Sequence, residues 1–188
     1  MPSIRSCKIE LLLVRHCTSL FNTGEDITSP DVGLSDDGKK HACTLTGCQD
    51  ASLVICSPLK RCRDTLKLSK LALKARAENN IIYSSLCREH KTDICDFFEG
   101  EPILIETEED ILNRIEKFKE WLLQLWHTKY INVEQKQPIK FMVVTHADFC
   151  FYLTGKKVKT SEEDGEGELF GKWLKNGEIL SWTITLNI

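Results

Sequence analysis

Two hydrophobic runs in this chain end on a histidine, "LLLVRH" at His16 and "FMVVTH" at His146, and a third, "ICSPLKR", leads within about a turn of helix to Arg61. The first run also carries Arg15 directly before its histidine. A buried strand that ends on ionisable residues sets them at its carboxyl edge, where open α/β sheets bind ligands. If the three strands are parallel, Arg15, His16, Arg61 and His146 share that edge. Taken singly, a strand-end histidine is more often a hydrogen-bonded structural residue; two of them with two arginines describe a site. The arginines offer rigid donor forks that match phosphate oxygens, and strand-to-helix turns add backbone N–H groups aimed at an anion. The same cations disfavour a divalent metal, which wants carboxylates around it. No H-x-x-x-H, D-x-D or glycine-rich Walker loop is present. The chemistry expected is phosphoryl chemistry without a metal.

The elements that must position these groups can be read along the chain. "IELLLVR", "ASLVICS", "NNIIYSS" and "PIKFMVVTH" are short apolar runs suited to strands covered on both faces. "SDDGKKHACTL" has Ser35 as an N-cap with acidic residues in the first turn, and Pro58 suits the start of a helix extending to about Leu71. "TEEDILNRIEKFKEWLLQLW" opens on a T-x-x-D capping signal and places Ile111, Ile115, Phe118, Leu122 and Leu125 on one helical face. "ADFCFYL" continues as a helix after His146. The alternation of strand and helix predicts α/β architecture with a mostly parallel sheet. Residues 86–105 have no clean period and read as a long functional loop or cap. "FGKWL" and "EILSWTITL" around "KNG" predict a hairpin closing a sheet edge. "TSEEDGEGE", residues 160 to 168, reads as a mobile acidic surface loop.

The bulk numbers restrict the setting. A chain of 188 residues is expected to form one domain, 1–188, and a net charge of -3 supplies no general basic field for nucleic acid. The nine cysteines lack paired C-x-x-C spacing, which fits free thiols in a reducing compartment. The apolar run near the start is too short for a signal-peptide core or membrane span, so a cytoplasmic protein with no membrane partner is expected.

In order and spacing, "LVRHCTSLFN", "LSDDGKKHA", "CSPLKRCRDT", "LCREH" and "VVTHADF" resemble the motifs of the histidine phosphatase superfamily, which includes cofactor-dependent phosphoglycerate mutases. The resemblance runs from about residue 9 to 154. It implies a three-layer α/β/α sandwich, phosphoglycerate mutase-like, and a phosphohistidine intermediate on His16. By the same resemblance Arg15 and Arg61 are phosphate clamps, His146 stabilises the transferring group, Asn22 lies near the phosphate and Glu89 is the proton donor. No cofactor or metal is implied. The bland reading of Glu89 is a surface partner for Arg88 or Lys91, with Asp93, Asp96 and Glu99 as fallback donors. Lys60, Arg63 and His90 read as solvated, and His41 and His127 carry no argument. Two departures stand out: Cys17 follows the first histidine and Ala147 the second, where the family usually has glycine.

Three functions fit. The first is a metal-independent phosphomonoesterase; the second a mutase that re-donates the phosphoryl group; the third a non-catalytic phospholigand-binding domain. The length leaves little room for the enclosing segments that the resemblance implies for mutases, and no nucleophile or clamp is lost, so the phosphatase is expected. Its partner would be a small phosphorylated substrate or a phosphopeptide. Phe97 and Phe98, with Asp148, Glu25, Asp26 and Asp31, suggest a pocket rim that is partly apolar and not strongly cationic.

Overall fold

The structure is a computed structural model and describes residues 6–130, 138–158 and 168–187. Its centre is a five-stranded sheet of β1 (Ser6–Arg15), β3 (Leu53–Cys56), β5 (Ile81–Tyr83), β6 (Ile139–Thr145) and β9 (Ile179–Asn187), in the order β5-β3-β6-β1-β9. The first four are parallel, and β9 runs antiparallel on the outside of β1. Lys70–Leu71 (β4) bridges Thr46–Gly47 (β2) in a separate short pair.

Strand side chains alternate between faces, and the core divides accordingly. Ile9, Leu11, Leu13, Leu53, Ile55, Phe141 and Val143 point to one face. There they meet Ile111, Ile115, Phe118 and Leu122 of α5 (Glu108–Tyr130) and Phe149, Cys150 and Leu153 of α6 (Ala147–Thr154). Val14, Val54, Cys56, Met142 and Val144 point to the other face, against Cys62 and Leu66 of α3 (Lys60–Leu68) and Ala75 of α4 (Leu73–Ala77). The α5 stripe is the one predicted, and its T-x-x-D cap forms, with Asp110 Oδ2 accepting from Thr107 N–H at 2.9 Å and Asp110 N–H donating to Thr107 Oγ1 at 3.2 Å. Helices on both faces of a mostly parallel sheet make the expected three-layer α/β/α fold.

The short α1 (Leu20–Thr23) follows the turn after His16, and Ser35 caps α2 (Asp36–Thr44) as predicted, accepting from Gly38 N–H at 3.1 Å. Gly38 lies so close to the Thr18 carbonyl that a Cβ would sit 1.9 Å from its oxygen. The helix is thus packed directly on the turn that follows His16.

Two expectations change. The helix after Pro58 stops at Leu68, because Ser69 onward turns to pair Lys70–Leu71 with β2. The "KNG" hairpin does not form. Instead β8 (Glu168–Phe170) pairs with β7 (Lys156–Val158), and the "EILSWTITL" run lies along the whole of β1, a longer partner than "FGKWL" could offer. Residues between β8 and β9 form a turn over the end of β1, where Gly177 at φ 75° donates its N–H to Arg15 O at 3.1 Å. Of the acidic stretch at 160–168, residues 160–167 lie outside the described residues. Among the described residues no helix is long and apolar enough to cross a membrane.

Candidate active site

The β1–β6 register pairs Arg15 with Thr145, so the next residues, His16 and His146, leave adjacent strands side by side with ring centroids 5.1 Å apart. β3 lies on the other side of β6, and α3 after it brings Arg61 over His16. The parallel sheet thus gathers the four groups as expected. A cavity of about 210 Å³ opens at this edge, lined by Arg15, His16, Asn22, Arg61 and Glu89 of the predicted set. His146 is fully buried behind it.

The hydrogen bonds of His16 fix its tautomer. Nδ1 is 2.7 Å from the Cys17 carbonyl oxygen, which can only accept, so Nδ1 carries the proton and Nε2 keeps its lone pair. Nε2 faces the Arg61 Nε–H at 3.3 Å. Burial, followed by Arg61 and then Arg15, holds the imidazole well below its ordinary titration range. A neutral ring with an available Nε2 is what a nucleophile requires.

His146 is also held neutral, by burial first and then by Arg61 and His16. Its Nε2 lies 2.8 Å from Ser57 Oγ and 3.3 Å from Cys62 Sγ.

The two arginines differ. Arg61 is 3% exposed and bonded on all sides: to Asp96 Oδ1 at 2.8 Å, to the Cys95 carbonyl at 2.7 Å and to His16. Arg15 Nη1 donates to the Leu174 carbonyl at 2.7 Å, whereas its buried Nε has no hydrogen-bond partner among the described residues. A buried donor without an acceptor is costly, and an anion in the cavity would supply one. Asn22 Oδ1 is occupied by Ser19 N–H at 3.2 Å and by Asn176 Nδ2 at 3.2 Å, which leaves the Asn22 NH₂ as a further donor for that anion.

Glu89 faces the same cavity. Its Oε1 accepts backbone N–H bonds from His90 at 3.1 Å and from Asp148 and Phe149, in the first turn of α6, at 3.1 and 3.3 Å. Burial, and after it the neighbouring Asp148 carboxylate, push its pKa up to about 8. It is not a surface partner of Arg88 or Lys91, since both pair with Glu101, at 2.9 and 3.2 Å. Asp93 and Asp96 also line the cavity, whereas exposed Glu99 does not.

Other rim expectations need correction. Phe97 is buried rather than at the rim, and Phe98 lies under the Arg88 guanidinium, 4.3 Å from it. Glu25, Asp26 and Asp31 are not among the lining residues; the rim aromatics are Phe21 and Trp173. Cys17 is a packing residue: it is fully buried against Leu34 and Ala42, its N–H donates to Thr65 Oγ1 at 3.0 Å, and burial pushes its thiol up to about 11. Ala147 is among the residues that line the cavity.

Sequence reasoning missed Ser57, Cys62 and Asn176. Ser57 could have been found as the polar residue ending the third strand, in line with the two histidines. Asn176 was absorbed into the hairpin reading, although it donates to the His16 carbonyl at 3.1 Å. Among the described residues no three His, Cys, Asp or Glu side chains are grouped to hold a metal. All nine cysteines are free.

Comparison with known proteins agrees with this geometry. Residues 11–92 match the sequence model of the histidine phosphatase superfamily (branch 1). No curated protein matches in sequence. Among solved structures, phosphoglycerate mutase from Bacillus anthracis str. Sterne superposes with a TM-score of 0.61 at 15% identity, covering 95% of this chain and 89% of that one. The α-ribazole phosphatase from Shigella flexneri gives 0.53 at 18%, covering 75% of each chain. A mycobacterial glucosyl-3-phosphoglycerate phosphatase gives 0.53 at 18%, covering 79% and 78%. At these identities the structural likeness establishes the fold. The chain carries the histidine phosphatase superfamily signature over residues 11–92, on a phosphoglycerate mutase-like α/β fold.

Proposed function

We propose that this protein is a metal-independent phosphomonoesterase that works through a phosphohistidine on His16. The observation that carries the reading is the pairing, in one cavity, of a His16 Nε2 that must be unprotonated with a buried Arg15 Nε that lacks an acceptor among the described residues. A substrate phosphate fits between them.

In the first step Nε2 attacks phosphorus, forming the N–P bond as the ester P–O bond breaks. Arg15, Arg61, the Asn22 amide and neutral His146 stabilise the oxygens on which charge develops. Arg61 Nε–H shares the His16 Nε2 lone pair at 3.3 Å, and phosphate oxygens entering the guanidinium fork release it. Glu89, with a pKa of about 8, is protonated at neutral pH and gives its proton to the departing alkoxide. In the second step the resulting carboxylate takes a proton from water, whose oxygen attacks phosphorus; the N–P bond breaks and inorganic phosphate leaves.

The test is rapid-quench labelling with a ³²P-phosphomonoester in the presence of EDTA. The expected result is an acid-labile, alkali-stable label at His16 together with release of inorganic phosphate. Turnover that needs added Mg²⁺ or Zn²⁺ would end the phosphohistidine reading. A label that passes to a second alcohol in preference to water would make the protein a mutase. Phosphate binding without any label would make it a phospholigand-binding domain.

A further inference from the structure

Resting on the phosphatase reading, we infer that the substrate is a small phosphate monoester whose alcohol portion is cationic, such as an amino-alcohol phosphate, and not one that carries a second anion. The argument comes from what is left of the cavity once phosphate is placed. The two arginines are the cations of its lining, and both belong to the phosphate clamp. The rest of the lining is acidic and aromatic. Asp96 is neutralised by its 2.8 Å pair with Arg61, and Glu89 holds a proton as the acid. Asp93 and Asp148 remain, carboxylates with no close Lys or Arg partner among the described residues; His90 Nδ1 lies 3.8 Å from Asp148 Oδ2. The loop lysine that could have balanced them, Lys91, is turned to Glu101.

Trp173 closes the rim. One face of its indole stacks on Phe151, 4.7 Å between centroids and 26° from parallel, yet the residue is 60% exposed. A fixed aromatic surface lining the same cavity as two carboxylates is a site for an ammonium group, through charge and cation–π attraction together. An anionic leaving group would meet the same two carboxylates with no cation to offset them. The unpartnered Arg15 Nε marks where the phosphate goes, so the acidic side is the alcohol side. The small volume favours a short chain between phosphate and charge.

The experiment compares kcat/KM for three alkyl phosphates: O-phosphoethanolamine, sn-glycerol 3-phosphate and 3-phosphoglycerate, with cationic, neutral and anionic alcohol portions. The expected order is cation, neutral, anion, with about tenfold or more between the ends at low salt, narrowing as ionic strength rises. Asp93→Asn and Asp148→Asn should each shrink the cation-to-anion ratio, whatever they do to the absolute rate. Equal rates, preference for 3-phosphoglycerate, or a ratio unmoved by both substitutions would overturn the inference. Labelling of His16 by p-nitrophenyl phosphate keeps the two readings apart. With labelling but no discrimination only the substrate class falls; without labelling the phosphatase reading falls with it.

Discussion

His16 and His146 leave neighbouring parallel strands at the same level, both buried and both held neutral, yet they face different surroundings. His16 presents Nε2 to Arg61 and the cavity, while its Nδ1–H is spent on its own backbone turn. His146 presents Nε2 to Ser57 and Cys62, on the turn and helix that follow β3. Equivalent positions in a sheet acquire different chemistry from their second ring nitrogen. An imidazole tied to a carbonyl by Nδ1 is free to attack through Nε2, whereas one tied through Nε2 to neighbouring side chains is suited to hold a charge without attacking.

The largest effect should separate the two residues outright. His16→Ala removes the atom that forms the N–P bond, and both label and turnover should vanish in rapid-quench assays while near-UV circular dichroism keeps the native signal. Next in size is Glu89→Gln, which should slow alkyl esters by about 10²- to 10⁴-fold. It should slow labelling by p-nitrophenyl phosphate less, because that leaving group needs no proton. The same variant should let phosphohistidine accumulate and should erase the alkaline limb of the pH–rate profile. That limb is expected near pH 8, with activity present below it, where Glu89 is protonated, and lost above it. His146→Ala should cost about 10²- to 10³-fold, the size of a lost charge-stabilising donor, yet still give label on His16. Ser57→Ala should cost about 1 kcal/mol, roughly fivefold in rate, through looser orientation of His146.

The two imidazoles should act alike in stability. Both titrate well below 6.5 in the folded protein, so below that pH the unfolded chain binds protons that the folded chain refuses. Stability should therefore be fully present above pH 6.5 and fall as the pH drops below it. The pH dependence of the thermal midpoint checks this. Adding phosphate should raise the midpoint, and more in the wild type than in an Arg15→Met variant.

The sequence by itself determined the four parallel strands, the α5 stripe and which polar residues stand at the strand ends, because each rests on local information: an apolar run, a cap, or a polar residue closing a strand. The parallel order then follows from the alternation of strand and helix. Only the tertiary structure decided what each group does. The tautomer of His16 depends on the Cys17 carbonyl in the turn beyond it. The proton on Glu89 depends on burial and on Asp148, 59 residues away, and the engagement of Arg61 depends on Asp96, 35 residues on. The "KNG" turn reads locally as a hairpin, but the ten residues of β1 offered the last strand a longer partner, and the turn became the cover of the site, bringing Asn176 and Trp173 with it. Proton position and pocket charge are sums over neighbours distant in sequence, so no window of the chain contains them.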